Sequence, residues 1–271
     1  KLVDVVNTGI GTPRGAAADD NGVIYVAGAA YNIFKYDVNT NQGTKSTNVN
    51  ISGVSLGSLY DISYGDDGML YTGSDNGHII RYNPNTDEVT AIFATDCGIT
   101  NPTYVSSVLQ QGDYIYAAVT NKAKEHYLLK LDKDTFDVVG TVEYTSTKPS
   151  TYMSYMSITE DGLILGNATN LMAVDTNTMT LLEEEEFSSA RVQCYASEAI
   201  NGKYYYVSSV DRYMYCYDPA TGTVEKTKTH VGQFFDCHGK TVTLDRDGDG
   251  EDEQYLLAIE DAKTSKITLV D

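Results

Sequence analysis

The fold is decided by a short segment that recurs along the chain with small variations. Its copies are NIFKYDVNTNQ at 32–42, IIRYNPNTDEV at 79–89, YLLKLDKDTFDVV at 127–139, LMAVDTNTMTLL at 171–182, MYCYDPATGTV at 214–224 and KITLVD at 266–271. Each copy begins with an apolar run that ends in Asp or Asn, and all but the last continue into a polar turn. We call the Asp or Asn the marker of its repeat; the markers are Asp37, Asn83, Asp132, Asp175, Asp218 and Asp271. A repeat of about 40–50 residues with several strands and no helical period predicts the blades of a β-propeller.

A second turn signal precedes each of the first five markers. The segments are DDNGVIYV at 19–26, GDDGMLYT at 65–72, QQGDYIYA at 110–117, TEDGLILG at 159–166 and INGKYYYV at 200–207. Glycine adopts the positive φ that other residues resist, so the turn glycines are predicted to mark where strand one folds back into strand two; they are Gly22, Gly68, Gly112, Gly162 and Gly202. The runs that follow, such as 23–26 and 204–207, are apolar on both faces, as expected of strands covered by neighbouring blades.

The ends of the chain indicate how the repeats close. No residues remain after Asp271 for an outer strand of the sixth repeat, whereas the apolar segment 2–6 precedes the first predicted strand. Pairing 2–6 with the last blade would remove two exposed sheet edges. We therefore predict an all-β protein in which residues 1–271 form a single domain, a six-bladed β-propeller with four antiparallel strands per blade, closed by its N-terminal strand. A solenoid or an incomplete ring is the structural alternative.

Composition excludes several classes of partner. The 271 residues include 38 Asp and Glu against 19 Lys and Arg, a net charge of −19. Nucleic acid and anionic membranes attract positive surfaces, so neither is an expected partner. No apolar run approaches the roughly 20 residues of a membrane-spanning helix, and no membrane insertion is expected. The first residue is Lys1 instead of Met, which suggests a processed chain or part of a longer one.

The sixth repeat has an acidic loop in place of the tight turn between its first two strands. In the segment LDRDGDGEDEQYLLAI at 244–259, Asp245, Asp247 and Asp249 stand at alternate positions, and Gly248 and Gly250 follow the second and third of them. Calcium binds six to eight oxygens, and a D-x-D-x-D-G run can wrap its carboxylates around one point. With the Glu251 carbonyl and the Glu253 carboxylate as further ligands, the sequence predicts a calcium site. The alternative is a solvated acidic hairpin without metal.

This loop resembles the calcium hairpin of FG-GAP propellers, which occur in integrin α-subunits and many secreted bacterial proteins. The resemblance implies a structural calcium on the face opposite the usual ligand site. A full EF-hand does not fit, because Leu256 stands where the twelfth loop position would require Glu. Calcium is abundant outside cells, so we expect a secreted or cell-surface protein, either a monomer or part of a larger surface protein.

Four cysteines give weaker information about the compartment. Cys97, Cys194, Cys216 and Cys237 lack C-x-x-C spacing, so zinc and thioredoxin-like sites are not expected. Cys194 and Cys237 lie near neighbouring inner strands and are the candidate disulfide. Buried free thiols are the simpler interpretation.

Alignment of the repeats on their turn glycines predicts a ligand site at the channel mouth, where inner strands begin. The residues placed there are Arg14, Tyr60, Asp61, Tyr104, Tyr155, Arg191, Gln193, Tyr195 and His238, with His78, His126 and His230 in the same set of loops. Tyrosine rings beside Arg, Gln and Asp suit a sugar, whose apolar face stacks while its hydroxyls form hydrogen bonds. A glycan or a protein is therefore the expected ligand. The alternative is that these tyrosines only pack between blades.

Evidence for catalysis is weaker. His78, His238 or Asp61 could act as a general acid or base, but their spacing does not show that any two meet. The chain lacks H-E-x-x-H and phosphate-binding glycine motifs. A binding module is thus the first hypothesis and a polysaccharide lyase or hydrolase the alternative. A purely structural module of a larger surface protein is a third.

The repeat itself resembles a known group of proteins. The pattern Y-D-P-x-T-G-x-V, present as YDPATGTV at 217–224 and loosely as YNPNTDEV at 82–89, is similar to that of secreted bacterial YVTN, PQQ-like and virginiamycin-lyase-like propellers. The resemblance extends over all six repeats and implies the propeller fold and a bacterial, secreted origin. It carries no active-site information, because the shared residues belong to a hairpin.

Overall fold

Short strands and tight turns follow one another wherever the structure, a computed structural model, describes the chain. The described residues are 8–10, 13–29, 31–45, 49, 51, 53–144, 156–158, 162–167, 170–186, 194–200, 202–208, 213–228, 234–236, 242–244, 253–260 and 267–270, with the backbone alone in many of the later strands. Every regular element among them is a β-strand. None of these residues belongs to a helix long and apolar enough to cross a membrane.

The chain divides into two compact units, residues 1–145 with 151–153 and residues 146–150 with 154–271. The first contains β1 Pro13–Ala18, β2 Val23–Gly28, β3 Phe34–Asp37, β4 Gln42–Lys45, β5 Leu59–Tyr64, β6 Leu70–Ser74, β7 His78–Tyr82, β8 Val89–Phe93, β9 Pro102–Gln111, β10 Tyr114–Asn121, β11 His126–Asp132 and β12 Val138–Tyr144. These strands form three four-stranded antiparallel sheets in sequence order, β1–β4, β5–β8 and β9–β12.

The second unit repeats the pattern. Its strands are β13 Met156–Ile158, β14 Leu163–Asn167, β15 Asn170–Asp175, β16 Thr180–Glu186, β17 Cys194–Ile200, β18 Lys203–Ser208, β19 Tyr213–Asp218, β20 Thr223–Lys228, β21 Phe234–Asp236, β22 Val242–Leu244, β23 Glu253–Glu260 and β24 Ile267–Val270. Strands β13–β16 and β17–β20 form two further meanders. In the last sheet, β21 and β22 both pair with β23, at its opposite ends, and β24 also pairs with β23.

These six sheets confirm the predicted all-β propeller architecture. Within the first unit β1 lies beside β5 and β5 beside β9, and within the second β13 lies beside β17 and β17 beside β21. First strands that neighbour each other are the arrangement of blades around an axis. The segment 2–6, predicted to complete the last blade, lies outside the described residues. That residues 1–271 form a single domain stays a prediction.

Turn chemistry explains why each repeat folds as it does. The five predicted turn glycines all have positive φ, between 58° and 82°. In five markers the side-chain oxygen accepts a hydrogen bond of 2.8–3.0 Å from the backbone amide two residues later in the chain. The bond from the Asp134 amide to Asp132 Oδ1 is an example. Such a bond is local, so Asp or Asn at the strand end directs the chain into its turn.

The core of the first unit lies between its sheets. One cluster, which includes Ile62, Leu70 and Ile80, fills the space between the first and second sheets. Another, which includes Val105, Ile115 and Leu129, packs the second sheet against the third. The predicted coverage of second strands on both faces is confirmed in β6, where all five residues are buried. In β2, the example 23–26, Tyr25 is buried but Val23, Ile24 and Val26 are only partly buried.

Candidate functional site

Four residues of the predicted ligand site belong to the first unit and lie near the starts of its innermost strands. Arg14 is on β1, Tyr60 and Asp61 are on β5, and Tyr104 is on β9. Strands β1 and β5 approach so closely that a side-chain carbon on Gly15 would lie 2.9 Å from the Asp61 Cα. This close approach brings residues of successive sheets within contact distance.

Arg14, Tyr60 and Tyr104 form a continuous row of contacts across the three sheets. The guanidinium carbon of Arg14 lies 4.5 Å from the centre of the Tyr60 ring. The Tyr60 and Tyr104 rings are 5.9 Å apart and nearly perpendicular, with an interplanar angle of 84°. Both contacts have favourable geometries for a cation over an aromatic face and for an aromatic pair. We call these residues the Arg14–Tyr60–Tyr104 row.

The row is both packed and accessible. Each of its three side chains is half-buried. Packing between blades was the alternative interpretation of the tyrosines, and it explains why part of each ring is buried. The exposed part of each ring is available to a ligand. Aromatic rings held in this way lose little conformational entropy on binding, because their neighbours already fix them.

Asp61 has a different environment from its neighbour Tyr60. It is only 3% exposed. Its Oδ1 accepts a hydrogen bond of 2.9 Å from the Ile62 amide, and its Oδ2 accepts one of 2.8 Å from the Ser107 hydroxyl on β9. Asp61 therefore ties β5 to β9 behind the row, and a direct role in ligand binding stays a prediction.

The charges of the first unit are divided between the two ends of its strands. Acidic residues crowd the turns between first and second strands and between third and fourth strands: Asp19, Asp20, Asp37, Asp66, Asp67, Asp87, Glu88, Asp113, Asp132, Asp134 and Asp137, beside one basic residue, Lys133. At the opposite end, where the row lies, acidic and basic residues are nearly balanced: Asp61, Asp75, Asp96, Glu125 and Glu143 with Arg14, Lys45, Lys122 and Lys124. The net charge of −19 is thus not spread evenly, and the row lies away from its acidic end in this unit.

The remaining predicted ligand residues belong to the second unit. Tyr155, Arg191, Gln193 and His238 lie outside the described residues, and Tyr195 lies on β17, where only the backbone is described. Their convergence into one site with the row stays a prediction.

The predicted calcium loop is bounded by two strands of the last sheet. Strand β22 ends at Leu244, and its partner β23 begins at Glu253. The other predicted ligands, Asp245, Asp247, Asp249 and Glu251, lie between these strands and outside the described residues. Within the described parts of the chain no cluster of three or more His, Cys, Asp or Glu residues could hold a metal ion. Calcium binding stays a prediction.

Two of the histidines predicted to lie in the loops at the channel mouth, His78 and His126, begin the third strands of their sheets and are set among other side chains. His126 is fully buried, its Nδ1 lies 3.0 Å from the Thr120 hydroxyl, and burial lowers its pKa to about 4. The His78 ring lies 4.9 Å from the Phe93 ring, and burial lowers its pKa against the opposing effect of Asp96. A neutral, enclosed His126 has the character of a structural residue. His230 and His238 lie outside the described residues.

The described thiols are free. Cys97 and Cys216 are partly buried and unpaired. Burial, aided by the Asp96 carboxylate, raises the pKa of Cys97 to about 11, so this thiol is protonated at neutral pH and a poor nucleophile. The candidate Cys194–Cys237 disulfide stays a prediction, since Cys237 is outside the described residues.

One feature of the first unit had no equivalent in the sequence analysis. A pocket of about 290 Å³ lies between the first and second sheets, with Lys35 and Lys45 among its lining residues. Lys35 lies in the short strand β3, and Lys45 ends the exposed strand β4, so in the sequence each resembles an ordinary solvated lysine. Strand register alone could have placed Lys35 on the inward face, beside Tyr25.

Comparison with known structures supports the propeller fold. A chain in the crystal structure of a mitotic checkpoint complex superposes with a TM-score of 0.67 at 12% identity, covering 100% of this chain and 84% of that one. Selenomethionine-substituted virginiamycin B lyase from Staphylococcus aureus superposes with a TM-score of 0.64 at 10% identity, covering 95% and 83%. Both are β-propellers, and at these identities the likeness concerns the fold alone.

Sequence comparison is less informative. Residues 5–106 match a family model described as a repeat of unknown function, DUF6923. No curated protein matches the chain significantly.

Proposed function

We propose that this chain is a binding module, a secreted or cell-surface β-propeller stabilised by calcium that binds a glycan or a protein segment at the end of its inner strands. The Arg14–Tyr60–Tyr104 row is the observation that carries the proposal. It places two half-buried aromatic rings and a guanidinium side by side on three consecutive sheets.

The chemistry of the row suits such a ligand. Tyrosine combines an apolar ring face with a hydroxyl, so it can stack on the C–H face of a sugar or on an apolar side chain and still form a hydrogen bond. Tyrosine and arginine also dominate the energetics of protein interfaces. Because charge is nearly balanced at this end of the strands, an acidic ligand is not repelled here as it would be at the acidic opposite end, and a neutral ligand is also compatible.

Binding without catalysis is the simplest role for these groups. Asp61, the carboxylate closest in sequence to the row, is occupied by the Ser107 hydroxyl and the Ile62 amide. A lyase or hydrolase acting at this end would need an acid or base such as His238. Release of product from a polysaccharide panel, abolished by His238→Ala, would establish that alternative.

The binding proposal is tested with the intact chain in the presence of calcium, on a broad glycan array and in a pull-down of extracellular proteins. A ligand found in either should bind at least about tenfold more weakly to Tyr60→Ala and Tyr104→Ala, since buried aromatic anchors contribute on this scale. Tyr114→Ala is the matched control, because Tyr114 is an exposed tyrosine at the opposite end of its strand from the row. Blank results in both assays, or equal losses in all three variants, would refute the proposal.

A further inference from the structure

The outer strand of the second sheet, β8, has one edge that no other described strand covers. On its inner side β8 pairs with β7 along its whole length without a shift in register. On its outer side none of the described strands pairs with it. Its five side chains, VTAIF, are uncharged and half-buried. Strand β8 therefore presents a regular, uncharged edge.

The outer strands of the first, third, fourth and fifth sheets are each protected in some way. Strand β4 has only four residues, all exposed, and ends in Lys45. The pairing of β12 and of β16 with its neighbour shifts in register, and β16 ends in four glutamates. Strand β20 contains Glu225, Lys226 and Lys228. Short length, bulges and charges all hinder the addition of a further strand, so β8 is the least protected of these five edges.

The hydrogen bonds between β7 and β8 show which backbone groups face inward. Just beyond the paired strands, the Ala94 amide donates to the Gly77 carbonyl at 2.9 Å. Residues that form such bonds alternate along an antiparallel strand. Because the register is continuous, Ile92 and Thr90 also direct their backbone N–H and C=O groups toward β7.

Val89, Ala91 and Phe93 direct their backbone groups the other way, toward the open edge. The Phe93 carbonyl accepts a hydrogen bond of 2.8 Å from the Asp96 amide. For the outward groups of Val89 and Ala91, the described part of the chain provides no backbone partner. Backbone N–H and C=O groups require water or another partner. The edge thus offers a donor and an acceptor at each of two positions, which is what an added strand needs.

Neighbouring sheets hold β8 in place from both faces. Val89 and Ala91 pack against the cluster between the first and second sheets, and Ile92 packs against the cluster between the second and third. An added strand would therefore pair with an edge that is already ordered, and the free energy of ordering β8 would not reduce its affinity.

Acidic residues at both ends of β8 indicate the charge of a partner. Asp87 and Glu88 precede the strand, Asp96 follows it, and all three are exposed. A segment of similar length laid along β8 in either direction would end beside these carboxylates, so basic residues at its two ends would be favourable. A second copy of this chain fits poorly, because pairing β8 with itself would bring the acidic ends of two copies together, in a protein of net charge −19.

We propose that the outer edge of β8 binds an extended segment of another protein by β-strand addition. The segment has about five uncharged residues, β-branched or aromatic, to match the five of β8, and a basic residue at each end. Its backbone pairs with Val89 and Ala91, and its basic side chains lie beside the acidic residues that flank β8. This proposal does not depend on the function proposed for the Arg14–Tyr60–Tyr104 row, which lies on the innermost strands.

The test measures amide hydrogen exchange and chemical shifts of the ¹⁵N-labelled full chain with the peptide acetyl-KVTVTVK-amide. In the free chain the Val89 and Ala91 amides should exchange faster than those of Thr90 and Ile92, since only the latter two donate to β7. For so short a segment we expect a dissociation constant on the order of 0.1–1 mM. At a peptide concentration ten times that constant, the Val89 and Ala91 amides should exchange about tenfold more slowly.

Two matched peptides separate backbone pairing from charge. The same peptide N-methylated at its five central amides lacks the donors needed for strand pairing, and acetyl-EVTVTVE-amide places like charges beside the flanking acids. Each should bind at least about tenfold more weakly than acetyl-KVTVTVK-amide.

Variants assign the binding to this edge. Ala91→Pro removes an outward donor but no hydrogen bond to β7, a position at which edge strands accept proline, and it should weaken peptide binding at least about tenfold. Glu88→Gln should weaken it about threefold, and Asp20→Asn, which alters an exposed acidic residue of the first sheet, should leave it unchanged. If Ala91→Pro does not fold, the N-methylated peptide gives the same comparison with unaltered protein.

Several results would overturn the proposal. They are equal exchange of all four amides in the free chain, no binding of acetyl-KVTVTVK-amide at 10 mM or about ten times the weakest affinity expected, shifts centred away from β8, and undiminished binding either of the N-methylated peptide or by Ala91→Pro. Analytical ultracentrifugation provides a last check, because a dimer that protects the Val89 and Ala91 amides would assign the edge to a second copy of this chain.

Discussion

Ser106 and Ser107 are adjacent on β9, and their replacement by alanine should have different consequences for stability. Both are buried, at 4% and 0% exposure. The Ser107 hydroxyl donates to Asp61 Oδ2 at 2.8 Å, whereas the Ser106 hydroxyl has no hydrogen-bond partner among the described residues. Alanine at 107 would leave a buried carboxylate oxygen without this donor, whereas alanine at 106 would remove a buried polar group that forms no bond.

The expected sizes follow from these contacts. A hydrogen bond to a charged group contributes about 1.5–3 kcal/mol, so Ser107→Ala should lower the free energy of unfolding by that amount. Ser106→Ala should be neutral or raise it by up to about 1 kcal/mol, because an unsatisfied hydroxyl costs free energy to bury. The side-chain volume removed is the same in both variants, which makes each the control for the other.

Urea unfolding at pH 7, followed by circular dichroism and by the fluorescence of the 22 tyrosines in this Trp-free chain, measures both variants. A double-mutant cycle with Asp61→Ala should show a coupling energy of about 1.5–3 kcal/mol for Ser107 and none for Ser106. Equal destabilisation by the two serine substitutions, or no coupling between Ser107 and Asp61, would refute the role of Asp61 as a tie between β5 and β9.

Two further predictions concern pH and metal. Burial lowers the folded-state pKa of His126 to about 4, against about 6.5 in an unfolded chain. Its stabilising contribution is therefore complete above pH 6.5 and is lost as the pH falls toward 4, by roughly 3 kcal/mol in total. Urea titrations across this range should show a correspondingly flatter pH dependence in His126→Gln, and equal slopes would contradict the assignment. For the acidic loop, EDTA and Asp247→Asn should each lower the melting temperature, with Asp211→Asn, an acidic residue outside the loop, as the control. An unchanged melting curve with EDTA would remove the calcium hypothesis.

The turns and strand ends of the fold could be predicted from the sequence, because they depend on interactions between residues close together in the chain. Four-residue signals predict turns at Gly68 and Gly162, and both glycines have positive φ in the structure. The repeat marks Asp132 and Asp175 as strand ends, and each accepts a hydrogen bond from an amide two residues away. Interactions over such short separations depend on residue type alone, which is why the repeat predicted the sheets.

The candidate site was accessible only in part. Alignment of the repeats placed Arg14, Tyr60 and Tyr104 at the same end of successive inner strands, and the structure shows these three in contact. The same alignment treated Asp61 as one more ligand residue. Its burial against Ser107, 46 positions along the chain, depends on how two sheets pack.

The sequence by itself therefore determined the class of fold, the repeat boundaries and the turns, since each follows from backbone preferences within a few residues. Only the tertiary structure decided which polar side chains are enclosed and which remain available. Ser106 and Ser107 are identical and adjacent, yet one has a buried carboxylate as its partner. Lys35 faces a cleft because β3 is paired between β2 and β4 in one register. The Ser107 contact depends on the neighbouring sheet and the position of Lys35 on the pairing of three strands, so both depend on residues beyond the immediate neighbours in the chain.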